Sequence, residues 1–168
     1  MNTSSTLAPS AKTSLEGRYL TFRLGTESYG IGVMSVQEII RLESITTVPQ
    51  LPNHVRGVIN LRGRIVPVVD LRIRFGLATA EDGERTCIIV VQVVTRRGRV
   101  PMGLLVDAVE EVLNLGKNDV APPPEFGCAV DVTFLRGMAR IRDQVKTLLD
   151  INRVLTDEQL DELHSAAA

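Results

Sequence analysis

Apolar residues in this chain fall into short β-branched runs broken by Gly, Arg and Asn, a pattern that predicts many short strands. The clearest case is residues 57–76, GVINLRGRIVPVVDLRIRFG. Val58, Ile59 and Leu61 lead into Arg62-Gly63-Arg64 and then into Ile65-Val66-Pro67-Val68-Val69. Two such runs around a Gly-containing turn predict a hairpin. Pro67 has no N–H to give to a ladder, which predicts an edge strand or a bulge for the second run. Upstream, residues 19–24 and 29–33 predict two strands joined by the four residues 25–28. Residues 35–41 set Val36, Ile39 and Ile40 at helical spacing behind Ser35, with Glu38 at the third position of a capping box; this predicts a short helix. Pro49 and Pro52 keep 46–52 extended.

The second half repeats the pattern. Residues 86–94 predict a buried strand, 95–99 a turn and 100–106 a returning strand. Residues 121–128, APPPEFGC, predict a stiff loop, and 136–142 with 145–151 a hairpin turning at Asp143-Gln144. TDEQLDELHSA from Thr156 predicts a short capped helix carrying Leu160 and Leu163. YGIGVMSVQEIIRL (29–42) matches MGLLVDAVEEVLNL (102–115) at an offset of 73, so that Glu38 falls on Glu111. The 57–76 stretch matches GMARIRDQVKTLLDI (137–151) at an offset of 80, with Gly57 on Gly137, Arg62 on Arg142 and Asp70 on Asp150. Two copies of a strand–hairpin–helix–hairpin unit predict two similar small β-barrels, a first at 17–80 and a second at 81–155. Residues 1–16 form a polar tail expected to be disordered, and 156–168 a short helix and tail.

Composition narrows the function classes. Basic and acidic residues nearly cancel, 19 against 20, which argues against bulk electrostatic binding to nucleic acid or membranes. No run approaches the roughly 20 apolar residues of a membrane span, and the N-terminus lacks the apolar core of a secretory signal, so a cytoplasmic protein without direct membrane insertion is expected. Cys87 and Cys128 form no CxxC pair and are expected to be reduced. His54 and His164 have no neighbours at ligand spacing, so no metal is expected. No phosphate-binding, dinucleotide or nucleophile-elbow motif is present, and no cofactor or catalytic residue is expected. Glu110 and Glu111 are adjacent, which on a regular strand turns them to opposite faces.

Arginine dominates the central hairpin. Five arginines against Asp70 give residues 56–74 a local charge of 5 − 1 = +4. A small nucleic-acid-binding β-barrel is therefore the alternative to a protein-binding module, although the stretch lacks interleaved aromatics for base stacking. The repeated Glu38/Arg62 and Glu111/Arg142 positions are candidate structural pairs, each joining a hairpin arginine to the predicted helix by a charge-assisted bond.

The motifs YGIGVMSVQEI, GVINLRGRIVPVVDLRIRFG, PPEF and LLDINRVL resemble the CheW family of chemotaxis coupling (adaptor) proteins over about residues 17–164. Related domains occur in the kinase CheA and in CheV, but the chain has no room for kinase or receiver domains, so a free-standing adaptor is expected. The resemblance implies a mainly β fold of two intertwined, SH3-like, five-stranded β-barrels with short helices, and no catalysis. It implies a cytoplasmic scaffold bridging chemoreceptor tips to the regulatory domain of the histidine kinase CheA, recruited to membrane receptor arrays through these partners, with no nucleic acid bound. Carried onto the motif positions, it makes Val36, Glu38, Gly57 and Arg62, with Ile39, Val58 and Leu61, the expected receptor- or kinase-binding residues. Lys146-Thr147 departs from the family's apolar last hairpin, which puts the second barrel's partner surface in question.

Overall fold

The computed structural model describes residues 15–77, 82–96, 98–122 and 134–154. Cys128, His164, most of the 121–128 loop and the helix expected from Thr156 lie outside these residues, as does nearly all of the N-terminal tail. The first hairpin pairs β1 (Gly17–Leu24) with β2 (Glu27–Gly32). A 3-10 turn, Val33–Ser35, leads into β3 (Val36–Arg41), and the central hairpin is β4 (Val55–Leu61) and β5 (Arg64–Asp70), followed by the four-residue helix α1 (Leu71–Arg74). The second half gives β6 (Cys87–Thr95), β7 (Gly98–Val106), β8 (Ala108–Leu115), the two-residue β9 (Val120–Ala121), β10 (Leu135–Ile141) and β11 (Gln144–Leu149). A 3-10 turn, Ile151–Arg153, closes the described chain.

Each half lends its first hairpin to the other. One sheet runs β3-β6-β7-β5-β4 and the other β8-β1-β2-β11-β10-β9. The swapped hairpins are accepted by short parallel ladders, β5 on β7 through Val68↔Gly103 and β11 on β2 through Leu148↔Gly30. The fold is two intertwined SH3-like barrels, and the division expected at residue 80 separates the sequence repeats while each sheet draws strands from both sides of it.

Three expectations are corrected in local detail. Residues 36–41 form a strand instead of a helix: Val36, Glu38 and Ile40 are half-buried while Gln37, Ile39 and Arg41 are exposed, a period of two. The repeated unit accordingly has a strand, β3 or β8, as its third element. Pro67 lies on β5, which is interior to its sheet. It is tolerated there because the facing Val58 exchanges both backbone bonds with Thr46, at 2.9 Å each, and the ladder to β7 begins only at Val68. Turns are tighter than expected: Gly25-Thr26 joins β1 to β2, and Arg142-Asp143 joins β10 to β11.

The largest apolar cluster lies between the barrels. Phe22, Tyr29, Phe75 and Phe134 stack in succession with ring centroids 6.2, 6.0 and 5.3 Å apart. They join residues of both sheets in one core. Smaller clusters fill each barrel, around Ile59, Val66 and Ile88 in the first and Tyr19, Ala139 and Leu148 in the second. Continuous packing of this kind makes the two barrels one body.

Candidate functional site: the barrel seams

β3 and β4 stand at opposite ends of one sheet's strand order, as do β8 and the β9–β10 end of the other. Each barrel is closed across that gap by an ion pair at the expected positions. Glu38 on β3 accepts two bonds from Arg62, 2.5 Å from Nη1 and 2.9 Å from Nη2. Glu111 on β8 accepts from Arg142 Nη2 at 2.9 Å. The Arg62 guanidinium holds the Glu38 carboxyl below its usual range, and Glu38 in return raises Arg62. Bidentate geometry makes the first pair directional as well as attractive.

The arginines can reach because their hairpins turn in the left-handed region. Arg62 and Gly63 have φ of 52° and 85°, Arg142 and Asp143 of 50° and 63°, the geometry of a two-residue I′ turn. Asn60 Oδ1 accepts from the Gly63 N–H at 2.8 Å and ties the first turn to its strand. A β-bulge in each partner strand aims the glutamates: the register slips between Val36 and Glu38 on β3, and across 110–111 on β8. Buried Thr21 stabilises the second bulge, its hydroxyl donating to the Glu111 carbonyl and accepting from the Glu111 N–H.

That bulge corrects the expectation for Glu110 and Glu111. Both side chains approach Lys146 Nζ, Glu110 at 3.3 Å and Glu111 at 3.9 Å, so the two acids work on one face. Lys146 is buried at the position that Val66 fills in the first barrel. The departure from an apolar hairpin is thus a buried lysine paired with two acids at the surface, a cluster extended by Ser28 Oγ donating to Glu110.

Beside each ion pair stand apolar side chains open to solvent. Ile39 and Ile65 flank Glu38–Arg62, and their repeat partners Val112 and Val145 flank Glu111–Arg142; all four are about half exposed. The other expected site residues are placed differently. Val36 packs against the inter-barrel core and Leu61 against the first barrel's interior. Val58 is half-buried and carries the bridge to Thr46. Gly57 is buried with φ of 145°, and a Cβ there would sit 2.1 Å from the Thr46 carbonyl oxygen. Gly137 meets the same constraint, 2.7 Å from the Ala121 carbonyl. In both barrels a crossing backbone segment rests on the glycine.

Residues outside the expected set tie the end of the central hairpin away from the Arg62 turn to the second half of the chain. Of the basic surface expected over 56–74, Arg62 and Arg64 stay exposed, while Arg56, Arg72 and Arg74 are held by internal partners. Arg72 is buried, bonded to Asp70 at 3.0 Å, Asp82 at 3.2 Å and Asp107 at 2.9 Å. Arg56 bridges Asp70 and Asp82. Arg74 donates to the Val154 carbonyl and stacks over Phe134. Asp70 also caps α1, accepting from the Arg72 N–H, and Asp150 does the same for Asn152 in the repeat. The Asp70/Asp150 recurrence was the available signal; the burial of Arg72 had none. Among the described residues no cluster of His, Cys, Asp or Glu suits a metal, and no helix is long and apolar enough to cross a membrane.

The comparisons with known proteins agree with this geometry. The CheW-like domain model matches residues 18–159. The chain is 35% identical over 142 residues to a chemotaxis protein CheW of Klebsiella aerogenes, covering 84% of this chain and 83% of that one. It is 36% identical over 140 residues to a chemotaxis protein CheW of Rhizobium meliloti, covering 83% and 88%. The crystal structure of the scaffolding protein TtCheW from Thermoanaerobacter tengcongensis superposes with a TM-score of 0.78 at 31% identity, covering 86% of this chain and 97% of that one. A matched domain over most of the chain, relatives of similar length and the shared paired-barrel architecture lead to one conclusion: this chain belongs to the CheW-like family of chemotaxis scaffold proteins.

Proposed function

We propose that the chain is a non-enzymatic, cytoplasmic chemotaxis adaptor that couples the cytoplasmic tips of chemoreceptors to the regulatory domain of the histidine kinase CheA and is recruited to receptor arrays by these partners. The observation that carries this reading is the pair of seams, each with exposed apolar side chains beside a closing ion pair. Such a patch suits protein docking, because apolar contacts supply affinity while the fixed guanidinium sets register. Ile39 and Arg62 are the contact residues of the first seam in this reading. Val36, Gly57, Val58 and Leu61 act through the backbone and packing that present them. A rigid inter-barrel core suits an adaptor that raises a partner's local concentration and passes a geometric change between two bound proteins.

The test is binding of the full chain to a chemoreceptor cytoplasmic fragment and to the CheA regulatory domain, measured separately and together. Binding to both, with Ile39→Asp weakening one of them about tenfold at unchanged thermal stability, is expected. Binding to neither, together with oligonucleotide binding that falls steeply with salt, would overturn the proposal in favour of a nucleic-acid-binding barrel.

A further inference from the structure

The two repeats build two related corners of the molecule with opposite chemistry. Gly30 and Gly103 are repeat partners; they face Thr21 in the first swapped hairpin and Val90 in the second, so Gly25 corresponds to Val94. By the offsets of 73 and 80, Asp107 corresponds to Met34 and Asn152 to Arg72. The first corner is closed by charge: Asp107 accepts from the Gly25 N–H at 2.6 Å and pairs with Arg72 at 2.9 Å.

At the second corner the backbone arrangement recurs and the charges do not. The Val94 N–H donates to Asn152 Oδ1 at 2.8 Å. Where the first corner has its acid, the second has Met34, 96% exposed, and Val94 is 56% exposed. Met34 lies in the 3-10 turn Val33–Ser35, which enters β3 where Val36 pairs with Val91, and by the repeat equivalence it takes the place next to Val94 that Asp107 takes next to Gly25. A side-chain bond from Gln92 to Gln37 fastens β6 to β3 at that level.

The second corner also projects further. The β6–β7 ladder continues through Val94↔Arg99 and Thr95↔Gly98, beyond the level at which β1 and β2 turn. Among the described residues this extension carries Arg96 and Arg99, and the sequence has no acid between Thr95 and Val100. Arg96 and Arg99 are exposed. Arg153, next to Asn152, is 66% exposed while it reaches Asp150 at 3.5 Å.

We infer that this corner, Met34 and Val94 beside the basic β6–β7 turn and Arg153, is a docking surface for an acidic protein segment carrying apolar side chains. Two large exposed apolar groups gain by desolvation on contact, and guanidinium groups bind carboxylates in a directed, two-pronged fashion. One face of an acidic amphipathic helix offers both. A single-stranded nucleic acid fits less well, because the corner has no exposed aromatic on which bases stack. The surface is distinct from the seams, so the inference goes beyond the coupling function and stands independently of it.

The probe is a fluorescein-labelled helical peptide of Glu and Leu, with a Lys and Leu peptide and a single-stranded oligonucleotide as controls, titrated into the full chain by anisotropy. Amide-shift mapping on the same samples locates the contact. The Glu and Leu peptide is expected to bind, with shifts at Met34, Val94, Arg96, Arg99 and Asn152. Met34→Glu with Val94→Glu, and separately Arg99→Glu, should each weaken it about tenfold without moving the thermal midpoint, since these three side chains are solvent-exposed. Shifts confined to other surfaces, equal binding of the Lys and Leu peptide, or tighter oligonucleotide binding insensitive to Met34 and Val94 would each overturn the inference.

Discussion

Glu38 and Arg62 sit on opposite sides of the gap in the first barrel, and their bidentate bond spans it. The pair is solvent-exposed on the arginine side, so its Coulomb energy is screened and its main effect is to fix geometry. Glu38→Arg or Arg62→Glu alone should lower the urea midpoint and weaken partner binding, since each puts like charges across the gap. The double reversal should recover most of the midpoint. A double variant no better than the singles would show that the two residues act separately.

The glycines under the crossing segments give a graded series. Gly57→Ala forces a Cβ to 2.1 Å from the Thr46 carbonyl in a left-handed backbone region, where nothing flexible can move away. A loss of about 3 kcal/mol or more is expected in urea unfolding. Gly137→Ala, with 2.7 Å to the Ala121 carbonyl and no unusual φ, should cost less. Gly63→Ala meets no atom within 4 Å and carries only the turn's φ of 85°, so about 1 kcal/mol is expected.

Much of this architecture was legible in the chain. The repeat, the central hairpin and the Glu–Arg pairing all follow from local pattern, because turn chemistry and recurrence are written in adjacent residues. Residues 36–41 read as helical because Glu38 takes an inward position and Ile39 an outward one, the reverse of a plain half-buried strand. That inversion is what builds the seam: the inward acid meets Arg62 and the outward Ile39 stays open. The adjacency of Glu110 and Glu111 misled for a related reason, since only the bulge brings both toward Lys146. The inward turn of Arg72 depends on Asp82 and Asp107, supplied by other elements after the chain has crossed between sheets, so no local spacing announces it.

Arg72 is the least replaceable of these charges. Its side chain is 2% exposed and faces three carboxylates, of which Asp70 is itself buried. Arg72→Met leaves Asp70 without its main counter-charge and should cost about 3 to 5 kcal/mol. Asp82→Asn, at the open rim of the same cluster, should cost about 1 kcal/mol or less. Equal effects in denaturant unfolding would contradict the burial gradient.

Lys146 tests the opposite case, a buried charge whose partners can return to water. Glu110 and Glu111 are solvent-exposed, so Lys146→Met leaves no stranded buried acid while placing an apolar chain where the first barrel has Val66. Stability should change by about 1 kcal/mol or less, in either direction. A loss of several kcal/mol would mean that the lysine holds the second seam together.

Acid sensitivity should arise in two separate windows. His54 is held below its ordinary pKa of 6.5, first by burial and then by the positive charge of Arg74. Its Nε2 is buried without a hydrogen-bond partner. The unfolded chain therefore takes up a proton at a higher pH than the folded one, so the stability this group confers is complete above 6.5 and is lost as pH falls below that value through the folded pKa. Glu38 and Asp82 are lowered from 4.5 and 3.8 by hydrogen bonds from Arg62 and Arg56, respectively. Their contribution is complete above those values and declines only at more acid pH. Urea midpoints measured from pH 7.5 to 3 should fall first below 6.5 and again below about 4.5. His54→Phe should remove the first decline and leave the second, whereas an unchanged first decline in that variant would assign it to another group.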